Sequence, residues 1–115
     1  MREQIVSFIK AKQTSGLSEN TLRAYETDLR EFESFVVSKN LGIDQLNTDI
    51  IRDWLFAASE AGAQKSTIAR KTATIRSFGK FLFETGQSET DPAAKLRSPK
   101  LSRTLPKTAN AKFLE

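Results

Sequence analysis

The sequence predicts an all-α domain: a compact bundle of four helices, then a short capped turn and an extended basic C-terminal linker. Three observations carry this. Four stretches space their apolar residues at intervals of three and four, and each is bounded by glycine or a capping residue. No stretch alternates apolar and polar residues as a half-buried strand would. All three prolines lie within "TDPAAKLRSPKLSRTLPK", residues 90–107, so none interrupts a helix before that point.

The first helix is read over residues 2–14, "REQIVSFIKAKQT", with Ile5, Phe8, Ile9 and Lys12 at helical spacing and Gly16 as its stop. The second opens with Ser18 as N-cap, and Leu17 and Leu22 can form a hydrophobic staple across it. Its stripe of Leu22, Tyr25, Leu29, Phe32 and Val36 holds one face, and Gly42 follows as the C-terminal signal. The third takes Asn47 or Thr48 as cap, turns Ile50, Ile51, Trp54, Leu55 and Ala58 inward, and ends at Gly62. The fourth runs from a Ser66 cap to Gly86, with Ile68, Ile75, Phe78 and Leu82 on a shared face. Gly79 inside it costs about 1 kcal/mol relative to alanine, a sign of another helix packing close. In "DPAAKL", Asp91 caps a helix of one or two turns with Pro92 at its first position. Residues 1–90 are thus read as the helical domain and 91–115 as turn and linker.

Composition narrows the chemistry. A chain of 115 residues suffices for one domain with a modest core. Without cysteine there is no disulfide or thiolate chemistry, and a reducing cytoplasm is the expected setting. Without histidine the commonest general base and metal ligand are both missing. No apolar run approaches a membrane span, so no membrane partner is expected. The net charge is +4, and residues 1–90 balance 12 cations with 12 acids. All of the excess therefore lies in the tail.

The fourth helix offers the clearest binding chemistry. On a wheel of 100° per residue from Lys65, Phe78, Leu82, Ile75 and Ile68 span about 220° to 300°. Lys65, Arg76, Lys80, Ser66 and Arg70 fall roughly opposite, between about 0° and 140°. Lys71 sits on the apolar side, and the expectation is that it reaches out along its stem. Between Ala61 and Phe83 there are five basic residues and no acid. Such a helix suits a polyanion, and its N-terminal N–H groups favour phosphate. The plain alternative is a solvated face on an ordinary bundle helix. In the second helix only the first turns, with Ser18, Asn20, Thr21 and Arg23, suit DNA. Glu19 can pair with Arg23, and the later Glu26, Asp28, Glu31 and Glu33 would repel it.

No active site is legible. Tyr25 and Trp54 lie on apolar stripes and read as core. Asp49 and Asp53 share a helix face, but a lone carboxylate pair is poor evidence for a metal. Serine and threonine nucleophiles lack an evident base, and there is no phosphate-cradling glycine loop. No catalytic residue, cofactor or metal is expected.

"LSENTLRAYETDLREFESFV", "KSTIARKTATIRSFGKFLFETG" and "DPAAKLRSPKLSRTLPK" appear in an order and spacing that resembles a known family. It is the N-terminal core-binding, SAM-like domain of tyrosine recombinases and phage integrases, especially of the Xer type, and the likeness covers about residues 3–108. The third segment is the most specific: a DP turn, then SPK, then LPK, as in the linker to the catalytic domain. The resemblance implies half of a C-shaped clamp around double-stranded DNA, with the second and fourth helices facing the major groove. By position, contacts fall on Thr21 and Arg23, on Lys65, Ser66, Thr67, Arg70, Lys71 and Thr74, and on Lys100, Arg103 and Lys107 in the linker. It also implies assembly with other recombinase protomers on DNA, and a domain that is monomeric alone. The strand-cleaving tyrosine and its helpers lie beyond the linker in that family, so this chain is expected to be a non-catalytic fragment. "TANAKFLE" fits the family's next segment poorly, and its final Leu-Glu has the look of a cloning remnant. The rival reading is a helical protein–protein interaction module with a basic tail.

Overall fold

The computed structural model describes residues 1–96, which form four α-helices and no strand. They are α1 (Arg2–Thr14), α2 (Glu19–Ser38), α3 (Thr48–Glu60) and α4 (Lys65–Glu84). A short 3-10 turn, Ile43–Gln45, precedes α3 and had no counterpart in the sequence reading. It forms because the Gln45 side chain reaches back to accept the Gly42 N–H at 2.7 Å.

The starts and stops of these helices are chemical. Ser18 caps α2, its hydroxyl oxygen accepting the Thr21 N–H at 3.2 Å. Asn47 is the cap of α3, accepting from Ile50 N–H at 3.0 Å. Thr48, the other candidate, instead donates its hydroxyl to the Pro92 carbonyl at 2.9 Å. α4 corrects the expected Ser66 cap: it begins at Lys65 after Gln64, whose side chain caps nothing. The Ala63 N–H bonds back to Ala58, closing α3, and Gln64 is extended immediately before the next helix.

Gly42 is likewise not the terminator of α2. Asn40 takes the left-handed conformation, at φ 59°, one residue past the cap. Its N–H bonds to Val37 and that of Leu41 to Val36, so two orphan carbonyls are satisfied. Asparagine tolerates this conformation better than most residues with a Cβ.

Two aromatic joints hold the bundle. Phe8 of α1 is fully buried, with ring centres of Phe78 and Phe81 both 5.5 Å away and Tyr25 at 5.8 Å. Phe32 of α2 meets Trp54 of α3 edge-on at 5.0 Å. Pairs of this kind add roughly 0.5–1.5 kcal/mol beyond the area they bury. Leu29, Val36, Ile51, Ile75 and Leu82 fill the space between, as the stripes predicted.

The segment after α4 belongs to this body. Asp91 Oδ1 accepts the Ala93 N–H at 2.9 Å, while Ala94 bonds to Asp91 and Leu96 to Ala93. These are consecutive tight turns where a short α-helix was expected. Ala93 and Leu96 are buried against the core. They explain Gly79: a Cβ there would stand 2.7 Å from Asp91 Oδ1 and 3.0 Å from Ala93 Cβ. The close neighbour is this turn, and not another helix.

Candidate nucleic-acid interface

α4 presents two chemically distinct sides. Ile75, Phe78 and Leu82 are buried, whereas Lys65, Ser66, Arg76 and Lys80 are exposed and Thr67 is half-buried. The only acid in the helix is Glu84, in its last turn, 3.9 Å from Lys80. Ala73 and Ser77 lie between the exposed cations, so the surface between the long side chains is shallow. Arg76 and Lys80 line a groove of about 540 Å³ whose other wall is the Asp91–Ala94 turn. The exposed start of the helix has N–H groups that no Gln64 side chain covers, at the positive end of the dipole.

Arg70 lies at the border of the two sides. Its side chain is 47% exposed, yet its Nε donates to Asp28 Oδ2 at 3.1 Å and its Nη2 to Oδ1 at 2.7 Å. This paired bond holds the guanidinium in its charged form and raises its pKa above the ordinary arginine value, with burial opposing in part. Asp28 itself is wholly buried.

Lys71 and Thr74 correct the sequence reading. Lys71 does not reach outward along its stem; its side chain is 5% exposed. The ammonium lies 3.4 Å from Asp28 Oδ1, bonds the Glu31 carboxylate, and stands 5.3 Å from the Trp54 ring centre. Thr74 is fully buried, its hydroxyl 2.9 Å from Asp28 Oδ2 and 3.0 Å from the Arg70 carbonyl oxygen. Burying a charge is costly unless it is paired and hydrogen-bonded, and here every member has a partner. These two side chains are thus part of the joint between α2 and α4.

Asp28, the centre of that joint, was missed as a functional residue. A signal was there. Asp28 follows Tyr25 by three and precedes Phe32 by four, and Lys71 follows Ile68 by three and precedes Ile75 by four. Each charge therefore occupies a stripe position on its own helix, which is the pattern of a buried pair.

At the start of α2, Thr21 is half-buried and its Oγ1 accepts from the Ser18 hydroxyl at 3.0 Å. Arg23 is exposed and forms no ion pair among the described residues; the suggested Glu19 partner is not used. The later acids are engaged at home, Glu26 with Arg30 at 2.9 Å and Glu33 with Arg2 at 3.4 Å. Lys100, Arg103 and Lys107 lie outside the described residues. Among the described residues no acidic cluster could hold a metal, and no helix is long and apolar enough to cross a membrane.

Comparison with known proteins agrees with this architecture. Residues 6–86 match the family model described as the phage integrase N-terminal SAM-like domain. The chain is 40% identical over 91 residues to tyrosine recombinase XerC of Mycobacterium tuberculosis (strain ATCC 25177 / H37Ra), covering 79% of this chain and 30% of that protein. To tyrosine recombinase XerC of Mycobacterium leprae (strain TN) it is also 40% identical over 91 residues, 79% of this chain and 31% of that protein. To tyrosine recombinase XerD of Rhizobium meliloti (strain 1021) it is 39% identical over 93 residues, 81% and 30% respectively. The chain spans about 30% of the length of these relatives. With a family match over most of its length and relatives at this identity, the chain belongs to the phage integrase N-terminal SAM-like domain family.

Proposed function

We propose that this domain binds double-stranded DNA, with selectivity for sequence, as the N-terminal clamp half of a site-specific tyrosine recombinase acting in DNA integration and recombination. One observation carries the reading: the solvent side of α4 bears Lys65, Arg70, Arg76 and Lys80 with no acid before Glu84. In B-DNA the major groove admits one helix, and cations along its flanks neutralise phosphates. The shallow strip of Ser66, Ala73 and Ser77 lets the helix backbone approach, while Arg23 and Thr21 supply a second contact from α2. In this reading Lys100, Arg103 and Lys107 add phosphate contacts next to the catalytic part of the parent protein. Strand cleavage belongs to that part, and this chain supplies grip in the cytoplasm. Lys71 and Thr74 act through the fold, since both are buried.

Binding of a labelled duplex at several salt concentrations tests the reading. With about 5–8 phosphates neutralised, the log–log slope should be roughly −5 to −7. Binding that ignores salt, or is absent at low salt, overturns it. The protein–protein reading draws on Phe83, 51% exposed beside an apolar groove that includes Leu46 and Pro92. In the proposed function this surface meets a neighbouring protomer on DNA.

A further inference from the structure

Arg70 is an exposed cation of α4 whose bonds to Asp28 use one edge of its guanidinium. A guanidinium carries five N–H donors in one plane. Asp28 takes two of them, Nε–H and one hydrogen of Nη2, in a fork at 3.1 and 2.7 Å. The remaining edge, Nη1 with the second hydrogen of Nη2, points off the carboxylate, and the side chain is 47% exposed. Asp28 cannot yield, because it is wholly buried and is held by Thr74 at 2.9 Å and by Lys71 at 3.4 Å. All three α4 groups that grip it lie within one helical turn. A pure structural pair would need no such scaffold on the carboxylate side while leaving its arginine half in solvent.

We infer that Asp28 is a positioning residue, which fixes Arg70 so that its free edge donates two parallel bonds to a pair of acceptor atoms on duplex DNA. The inference rests on the proposed DNA-binding function and deepens it. Two acceptors at this spacing occur on a phosphate group and on the O6/N7 edge of guanine. A fixed fork loses little freedom on binding, whereas a mobile arginine must be ordered first. The carboxylate thus promotes contact with a polyanion, against the sign of its own charge.

That sign gives the test. The whole 115-residue chain is titrated with a panel of mixed-sequence duplexes at low salt, with thermal unfolding recorded for each variant. Arg70→Lys keeps the charge and lacks the fork, so about tenfold weaker binding is expected. Asp28→Asn removes a negative charge, so simple electrostatics requires tighter binding, whereas loss of the scaffold requires weaker binding by a similar factor. A loss equal on all duplexes places the fork on phosphate, and a loss confined to certain sequences places it on guanine. If Asp28→Asn does not fold, Arg70→Lys decides alone. Unchanged or tighter binding by Arg70→Lys overturns the inference while the DNA-binding function stands. Failure of the unaltered chain to bind any duplex overturns both.

Discussion

Lys71 and Lys80 lie nine residues apart on one helix and have opposite surroundings. Lys71 is enclosed by two carboxylates and an indole, at 5% exposure, whereas the Lys80 side chain is 70% exposed. The same residue type thus joins two helices at one position and meets solvent at the other. A count of basic residues treats them alike. The local environment decides: a cation among apolar neighbours is kept only by partners, while one in water is free to exchange its ions for phosphates.

The contrast is open to experiment on both sides. The largest effect should follow Asp28→Ala, which leaves Arg70, Lys71 and Thr74 without their shared acceptor. Breaking a buried charged cluster in this way costs about 3–5 kcal/mol, read as a fall in the urea midpoint. Next comes the packing side of α4. Gly79→Ala improves intrinsic helix propensity by about 1 kcal/mol, yet its Cβ meets the Asp91–Ala93 turn, so a net loss of about 1–2 kcal/mol is expected. A midpoint that rises in Gly79→Ala would show that the turn yields readily.

Smaller effects should separate stability from binding. Lys71→Gln is expected to lower the thermal midpoint while leaving the salt slope of duplex binding unchanged, because its ammonium does not face solvent. Lys80→Gln and Lys65→Gln should do the reverse: the midpoint stays, and each removes about one unit from the slope. Loss of slope in Lys71→Gln, with none in Lys80→Gln, would place the contact face on the wrong side of the helix. The smallest change is expected for Glu33→Ala, whose ion pair with Arg2 at 3.4 Å lies at the surface and whose removal should leave both readouts nearly as they were.

Most of the helical framework was legible before any coordinates. The stripe of Tyr25, Leu29, Phe32 and Val36 places α2, and "NTDIIRDWL" contains both the cap and the inward face of α3. Ser18 and Asn47 cap because their side chains bond N–H groups three residues on, an interaction local enough to read from order alone. Asn40 was passed over since glycine is the usual signal, although asparagine serves the same conformation. The exposed cations Lys65, Arg76 and Lys80 were also placed correctly by their wheel positions.

What order alone determined about this protein is the set of interactions that span a few residues: where each helix starts, where it ends and which side is greasy. Only the tertiary structure decided which of the charges between the helices pair with one another. Asp28 and Arg70 are 42 residues apart in sequence, and Thr48 and Pro92 are separated by 44. No periodicity within one helix specifies which partner crosses from another. The energy of a charge depends on what replaces its water, and that is settled only when the helices meet.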